Sequence, residues 1–125
     1  MNKIYKIEDI PNHISGIYKI NFPNGKSYIG LSNNIKRRIK EHNVHSKQEK
    51  GSPTKHAVHY AIEKYYQGSI PEIEVLEEID FNDKDKMKER EKYWIAYYDT
   101  YGENGYNLTE GGDGLEMLRN LWKEN

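Results

Sequence analysis

Five residues of types that do proton or phosphate chemistry stand at spacings a small fold can bring together: Tyr18, Tyr28, Arg38, His42 and Glu91. Both tyrosines lie in GIYKINFPNGKSYIG, residues 16–30, one on each side of a turn. A phenol can give or take a proton when its neighbours tune it; it can equally be a packed ring with a satisfied hydroxyl. Arg38 and His42 are four residues apart in LSNNIKRRIKEH, which stacks them on one side of a helix. There an arginine fork suits a phosphate and an imidazole holds or relays a proton. In the plainer reading Arg38 lays its stem along apolar surface and His42 closes a fraying helix. Glu91 falls between Met87 and Ile95 at four-residue steps, inside an apolar stripe that also includes Trp94 and Tyr98. A carboxylate there needs compensation. Either an ion such as magnesium, kept mostly by water and substrate oxygens, or an ion pair with Arg38 or Arg90 would supply it.

The elements that must position these residues follow from turn and capping chemistry. In FPNGK a two-residue loop would make Pro23 part of the closing pair, where it has no N–H to give. A type I turn on Pro23-Asn24 followed by a left-handed Gly25 suits the residues better. That register pairs Phe22 with Lys26, Ile20 with Tyr28 and Tyr18 with Gly30, so both tyrosines share a face as diagonal neighbours. Gly30 then reads as a vacancy opposite Tyr18 through which a phosphate and a water could approach. Ser32, Asn33 or Asn34 caps the first helix, whose core side is marked by Ile35 and Ile39. Polar residues 43–51 read as a loop. Ser52-Pro53 opens a second helix with Ala57, Val58, Ala61, Ile62 and Tyr65 on its stripe. A strand follows Pro71, and residues 83–99 form a third helix. The expected fold is α+β, a small central antiparallel sheet of about three strands in the order β-β-α-α-β-α, flanked by helices. Residues 1–13 read as a leader, 14–110 as one domain and 111–125 as a C-terminal extension with a short amphipathic segment around Leu115, Leu118 and Leu121.

A chain of 125 residues suits one domain with a modest core. Tyrosine supplies 11 of the 15 aromatics, so many hydroxyls are left at edges and clefts. There is no cysteine, which excludes disulfides, zinc knuckles and thiol nucleophiles. Without a signal-peptide core or an apolar run of spanning length, a soluble cytoplasmic protein is expected, with no membrane partner. The net charge of −1 conceals an asymmetry: residues 1–66 hold 12 Lys/Arg against 5 Asp/Glu, and residues 67–125 hold 7 against 15. One reading is a basic face that follows a phosphate backbone; the other is two solvated surfaces of opposite sign.

GIY at 16–18, YIG at 28–30, Arg38 and His42 beyond them, Glu91 before YWI and Asn107 in GYN together resemble the GIY-YIG nuclease domain. The resemblance covers residues 16–107 and is nearest to phage homing-endonuclease-like and free-standing members. It implies hydrolysis of DNA phosphodiester bonds with one divalent ion, Mg2+ or Mn2+. Residue by residue, it implies that Tyr18 activates the attacking water with Tyr28 in support, Arg38 stabilises charge on the scissile phosphate, His42 helps move the proton and Glu91 holds the metal. Gly16, Gly30 and Asn107 would support the site, Asn107 by tying the last loop to the sheet. Lys36, Arg37, Lys40, Lys47, Lys50 and Lys55 are the candidates for DNA contact. His56 and His59 lie near the place where some phage members carry a further histidine. On the helix as read, both face away from the apolar stripe, toward solvent or backbone phosphates. A zinc site of His56, His59 and Glu63 would rest on one exposed helical face only. The competing class is a DNA-binding or interaction module that keeps the fold without turnover, since no long basic sequence-reading helix is evident. In many phage members a separate DNA-binding region follows.

Overall fold

The computed structural model describes residues 2–111. Strands β1 (Lys3–Lys6), β2 (Gly16–Asn21), β3 (Ser27–Ser32) and β4 (Glu72–Glu78) form one antiparallel sheet in the order β1-β4-β2-β3. Helices α1 (Ile35–Ser46) and α2 (Ala57–Tyr66) separate β3 from β4, and α3 (Lys84–Tyr98) follows β4. The architecture is the expected α+β one, with a fourth strand at the edge. That strand, β1, comes from the first residues of the chain and pairs Lys3–Lys6 with Glu72–Val75. It is short and mostly exposed, so its sequence carries little alternation to read.

The hairpin has the expected register. Ile20 faces Tyr28 and Tyr18 faces Gly30. Gly25 adopts a φ of 86°, its N–H is donated to the Phe22 carbonyl, and Asn24 Oδ1 accepts from the Lys26 N–H. Gly16 is constrained from the β4 side: a Cβ there would lie 1.9 Å from the Glu77 carbonyl oxygen, and its φ is +149°. Glycine alone allows β2 to enter the sheet so close to β4.

Two apolar layers sandwich the sheet. On one face Tyr18, Ile20, Phe22, Ile73 and Val75 pack with Ile35 and Ile39 of α1 and Val58, Ala61 and Ile62 of α2. On the other, Ile17, Ile29 and Leu76 pack with Met87 and Ile95 of α3. The helices differ from expectation at their ends. Helix α1 continues through Asn43–Ser46, residues read as loop, because Asn43 Oδ1 and Ser46 find partners at the Ile70 N–H and the Asn43 carbonyl. Helix α2 starts at Ala57, with His56 rather than Ser52 in the capping position. The segment around Leu115, Leu118 and Leu121 lies outside the described residues.

Candidate active site

Pairing Tyr18 with Gly30 removes any side chain from the position where a cross-strand neighbour would stand. The ring of Tyr18 takes that space itself: a Cβ on Gly30 would be 2.3 Å from Tyr18 Oη and 2.4 Å from Cζ. The expected vacancy is therefore filled, not open, because a buried aromatic gains more by covering bare backbone than by leaving a gap. Tyr28 stands on the same face, its ring centroid 6.4 Å from that of Tyr18.

Helix α1 brings the next two groups. Asn34 caps it, its Oδ1 accepting from the Arg37 N–H at 3.1 Å, and Ser32 Oγ accepts from the Asn34 N–H. This entry turns the edge with Ile35, Ile39 and His42 toward the sheet, all of them buried. His42 Nε2 lies 2.6 Å from Tyr18 Oη, and its ring meets Tyr28 edge-on at 5.5 Å. Arg38, half-buried one turn earlier, holds Glu41 at 2.9 Å and presents its charge to both tyrosine hydroxyls.

The next member, His59, is oriented differently from expectation. His59 is buried, and its Nε2 lies 3.0 Å from His42 Nδ1. A helix opening at Ser52-Pro53 with Ala57, Val58, Ala61, Ile62 and Tyr65 on its stripe turns His59 away from the core, toward solvent or backbone phosphates. In the fold Ala57 is exposed and the buried set is Val58, His59, Ala61 and Ile62, since α1 packs on the His59 flank. Its position one residue after Val58 and three before Ile62 was the signal in the residues themselves, beside the further histidine that the family resemblance places near here. His56 remains exposed.

Burial governs the protonation of this chain of groups. It lowers His42 to about 2, with Arg38 and the neighbouring histidines adding to the effect, and lowers His59 to about 4. Both rings are neutral around pH 7. Burial also raises the Tyr18 hydroxyl well above the ordinary phenol value, Tyr28 adding to this and Arg38 opposing it. Tyr28 is pushed up to about 12, by burial first and then by Glu91.

Glu91 comes from α3, on the opposite side of the sheet from α1 and α2, yet its charge acts on both tyrosines. Edge strand β3 lies against α3, and Glu91 is buried beside Met87 and Ile95. Arg90, one of its suggested partners, is instead paired with Glu77 at 2.6 Å. A buried carboxylate whose charge acts on both tyrosine hydroxyls offers hard oxygen-donor chemistry, which fits one Mg2+ or Mn2+ holding a single protein ligand and otherwise water and substrate oxygens. Among the described residues no group of three or more His, Cys, Asp or Glu side chains is placed to hold a metal ion. Asn107 stitches the loop after α3 to β3: its Nδ2 donates to the Ile29 carbonyl at 2.8 Å and its Oδ1 accepts from the Ile29 N–H at 2.9 Å.

The basic candidates divide. Lys40, Lys47 and Lys50 are exposed, Lys36 is half-buried, and Arg37 is exposed while paired with Asn33 and Glu41. Lys55 is different: its buried ammonium meets Glu63 at 2.9 Å, donates to the Gln48 carbonyl at 2.9 Å and lies over the Tyr60 ring. It is corrected from a phosphate contact to an internal strut, because an ammonium already desolvated and paired is not presented to a ligand. The same pairing gives Glu63 a partner other than His56 and His59.

The family model described as the GIY-YIG catalytic domain matches residues 14–107. The solved structure titled "Structure of the Catalytic Domain of Homing Endonuclease I-TevI" superposes with a TM-score of 0.60 at 32% sequence identity, covering 76% of this chain and 98% of that one. No curated protein matches at a significant level.

Proposed function

Because the chain belongs to the GIY-YIG catalytic-domain family, we propose that it is a DNA endonuclease, hydrolysing phosphodiester bonds with one divalent ion, Mg2+ or Mn2+. The nuclease unit spans residues 14–110 in this reading. The observation that carries it is the 2.6 Å bond between Tyr18 and His42 on the face shared by Tyr28, beside Arg38 and Glu91. A family resemblance alone would be compatible with a worn copy of the fold. A buried tyrosine held by a neutral imidazole and flanked by a guanidinium and a carboxylate is an acid–base arrangement that packing does not require.

Tyr18 gives its own proton to solvent, Arg38 favouring the phenolate against the burial that opposes it. The phenolate then takes a proton from the attacking water, with His42 bonded to its oxygen. Tyr28 orders the same face. Arg38 places its donors against the scissile phosphate, where negative charge grows in the transition state. Glu91 is the one protein ligand to the ion, which supplies electrostatic stabilisation of that charge when bound. The exposed Lys40, Lys47 and Lys50, with Lys36 and Arg37, follow the DNA backbone and fix position without reading sequence. Similarity to a homing endonuclease domain supports the endonuclease class, and a homing role for this chain is part of the proposal.

The test is nicking of supercoiled plasmid with Mg2+ or Mn2+ at micromolar protein. Wild type converts plasmid to nicked or linear forms. Tyr18→Phe and Glu91→Gln each lower the rate by about 10²-fold or more while circular dichroism and melting stay close to wild type. Binding without any cleavage by wild type, with both ions, would establish the non-catalytic module instead.

A further inference from the structure

One row of hydrogen bonds runs from backbone to phenol. The His56 amide N–H is donated to His59 Nδ1 at 2.9 Å; His59 Nε2 and His42 Nδ1 are 3.0 Å apart; His42 Nε2 and Tyr18 Oη are 2.6 Å apart. The amide at one end decides every proton that follows. A backbone N–H can only donate, so His59 Nδ1 is bare and the neutral ring carries its proton on Nε2. That N–H needs an acceptor, so His42 Nδ1 is bare too, and the His42 proton sits on Nε2. It points at Tyr18.

We propose that His59, fixed by the His56 amide, is a positioning residue that holds His42 in its Nε2–H tautomer, so that His42 donates to the Tyr18 oxygen and cannot accept the Tyr18 proton. The inference rests on the nuclease reading and refines it. Within that reading Tyr18 first gives its own proton to solvent and reacts as the phenolate, whose negative charge the His42 N–H stabilises; the proton of the attacking water then ends on Tyr18 and travels no further. This differs from the relay that the residues Tyr18 and His42 first suggest. The reverse orientation would set a ring N–H of His59 against the His56 N–H.

Burial first, and then the groups around the row, keep both rings uncharged. His42 is faced by Arg38 and His45 from α1 and by His56 and His59 at the start of α2, and each disfavours an imidazolium. His59 is faced by His45, His56 and Arg38, with the Thr54 carbonyl the one contact that favours its charged form. Around Tyr18 stand Tyr28, Arg38, His42 and Glu91.

Long-range proton–nitrogen NMR on protein labelled in its histidine rings reads the tautomer without turnover. Wild type shows His42 protonated at Nε2 and bare at Nδ1. In His59→Gln the side-chain amide still donates to His42 Nδ1, so the tautomer and most of the plasmid-nicking rate remain. In His59→Glu a carboxylate acceptor draws the His42 proton to Nδ1, the tautomer reverses, and nicking falls by about 10²-fold with the melting transition retained. A wild-type His42 protonated at Nδ1 would overturn the proposal, as would a reversed tautomer in His59→Glu with nicking at the wild-type rate. If His59→Glu does not fold, the wild-type spectrum and His59→Gln still decide it. The expected tautomer in a wild type that never nicks supports the assignment and marks failure of the nuclease reading alone.

Discussion

Tyr18 and Gly30 face each other across the β2–β3 hairpin and share the space of one side chain: a Cβ on Gly30 would approach Tyr18 Oη to 2.3 Å. The glycine of the YIG element thus places the tyrosine of the GIY element. Gly30→Ala is expected to push the ring off its bond with His42, lowering plasmid nicking by about 10²-fold. Overpacking should also cost about 1–3 kcal/mol of stability. Activity and a urea titration on the same sample check both. A folded Gly30→Ala that nicks at the wild-type rate would remove Tyr18 from its assigned place.

Stability should depend on pH through the two buried histidines. Their folded pKa values, about 2 for His42 and about 4 for His59, lie below the ordinary value of 6.5, so below that pH the unfolded chain binds protons that the folded chain refuses. Stability is then fully present above about pH 6.5 and falls as pH drops toward 4, by up to about 1.4 kcal/mol per pH unit for each ring. Urea midpoints between pH 7.5 and 5 measure this before most carboxylates titrate. His59→Gln should lose one ring's share of the slope; an unchanged slope would mean that His59 is not buried neutral.

DNA affinity should fall steeply with salt if the exposed lysines meet phosphates. Each contact removed, as in Lys40→Gln or Lys50→Gln, lowers the slope of log affinity against log salt by about 0.9. Lys55→Met should leave that slope alone and shift only the melting temperature, because the Lys55 ammonium is already committed to Glu63 and Gln48. Fluorescence anisotropy with a duplex at four salt concentrations separates the two behaviours.

Asn107→Ala removes both bonds to Ile29 and leaves a buried N–H and C=O without partners. Each unsatisfied group costs about 1–3 kcal/mol. The expected result is a lower urea midpoint at unchanged m-value, together with faster hydrogen exchange at the Ile29 amide. Protection of that amide equal to wild type would show that Asn107 does not hold the strand.

Local chemistry made much of this protein legible in its sequence. Pro23 excluded one hairpin register, and with it the arrangement that would have put Tyr18 and Tyr28 on opposite faces. Asn34 was readable as one of three candidate caps, and the period of Ile35 and Ile39 placed His42 at the border of the core side. Met87 and Ile95 marked Glu91 as buried. Each of these conclusions needs only neighbours within a few residues, where steric and hydrogen-bonding preferences act. What tertiary structure decided depends on elements meeting. Strand β1 exists because β4 offers it an edge. His59 is buried because α1 lies on its flank of α2. Lys55 turns inward because Gln48 and Glu63 converge there, and the charge of Glu91 acts on the tyrosines from α3. Burial then sets the protonation of His42, His59 and Tyr18. No spacing along the chain encodes that environment, because desolvation is a property of everything packed around a group.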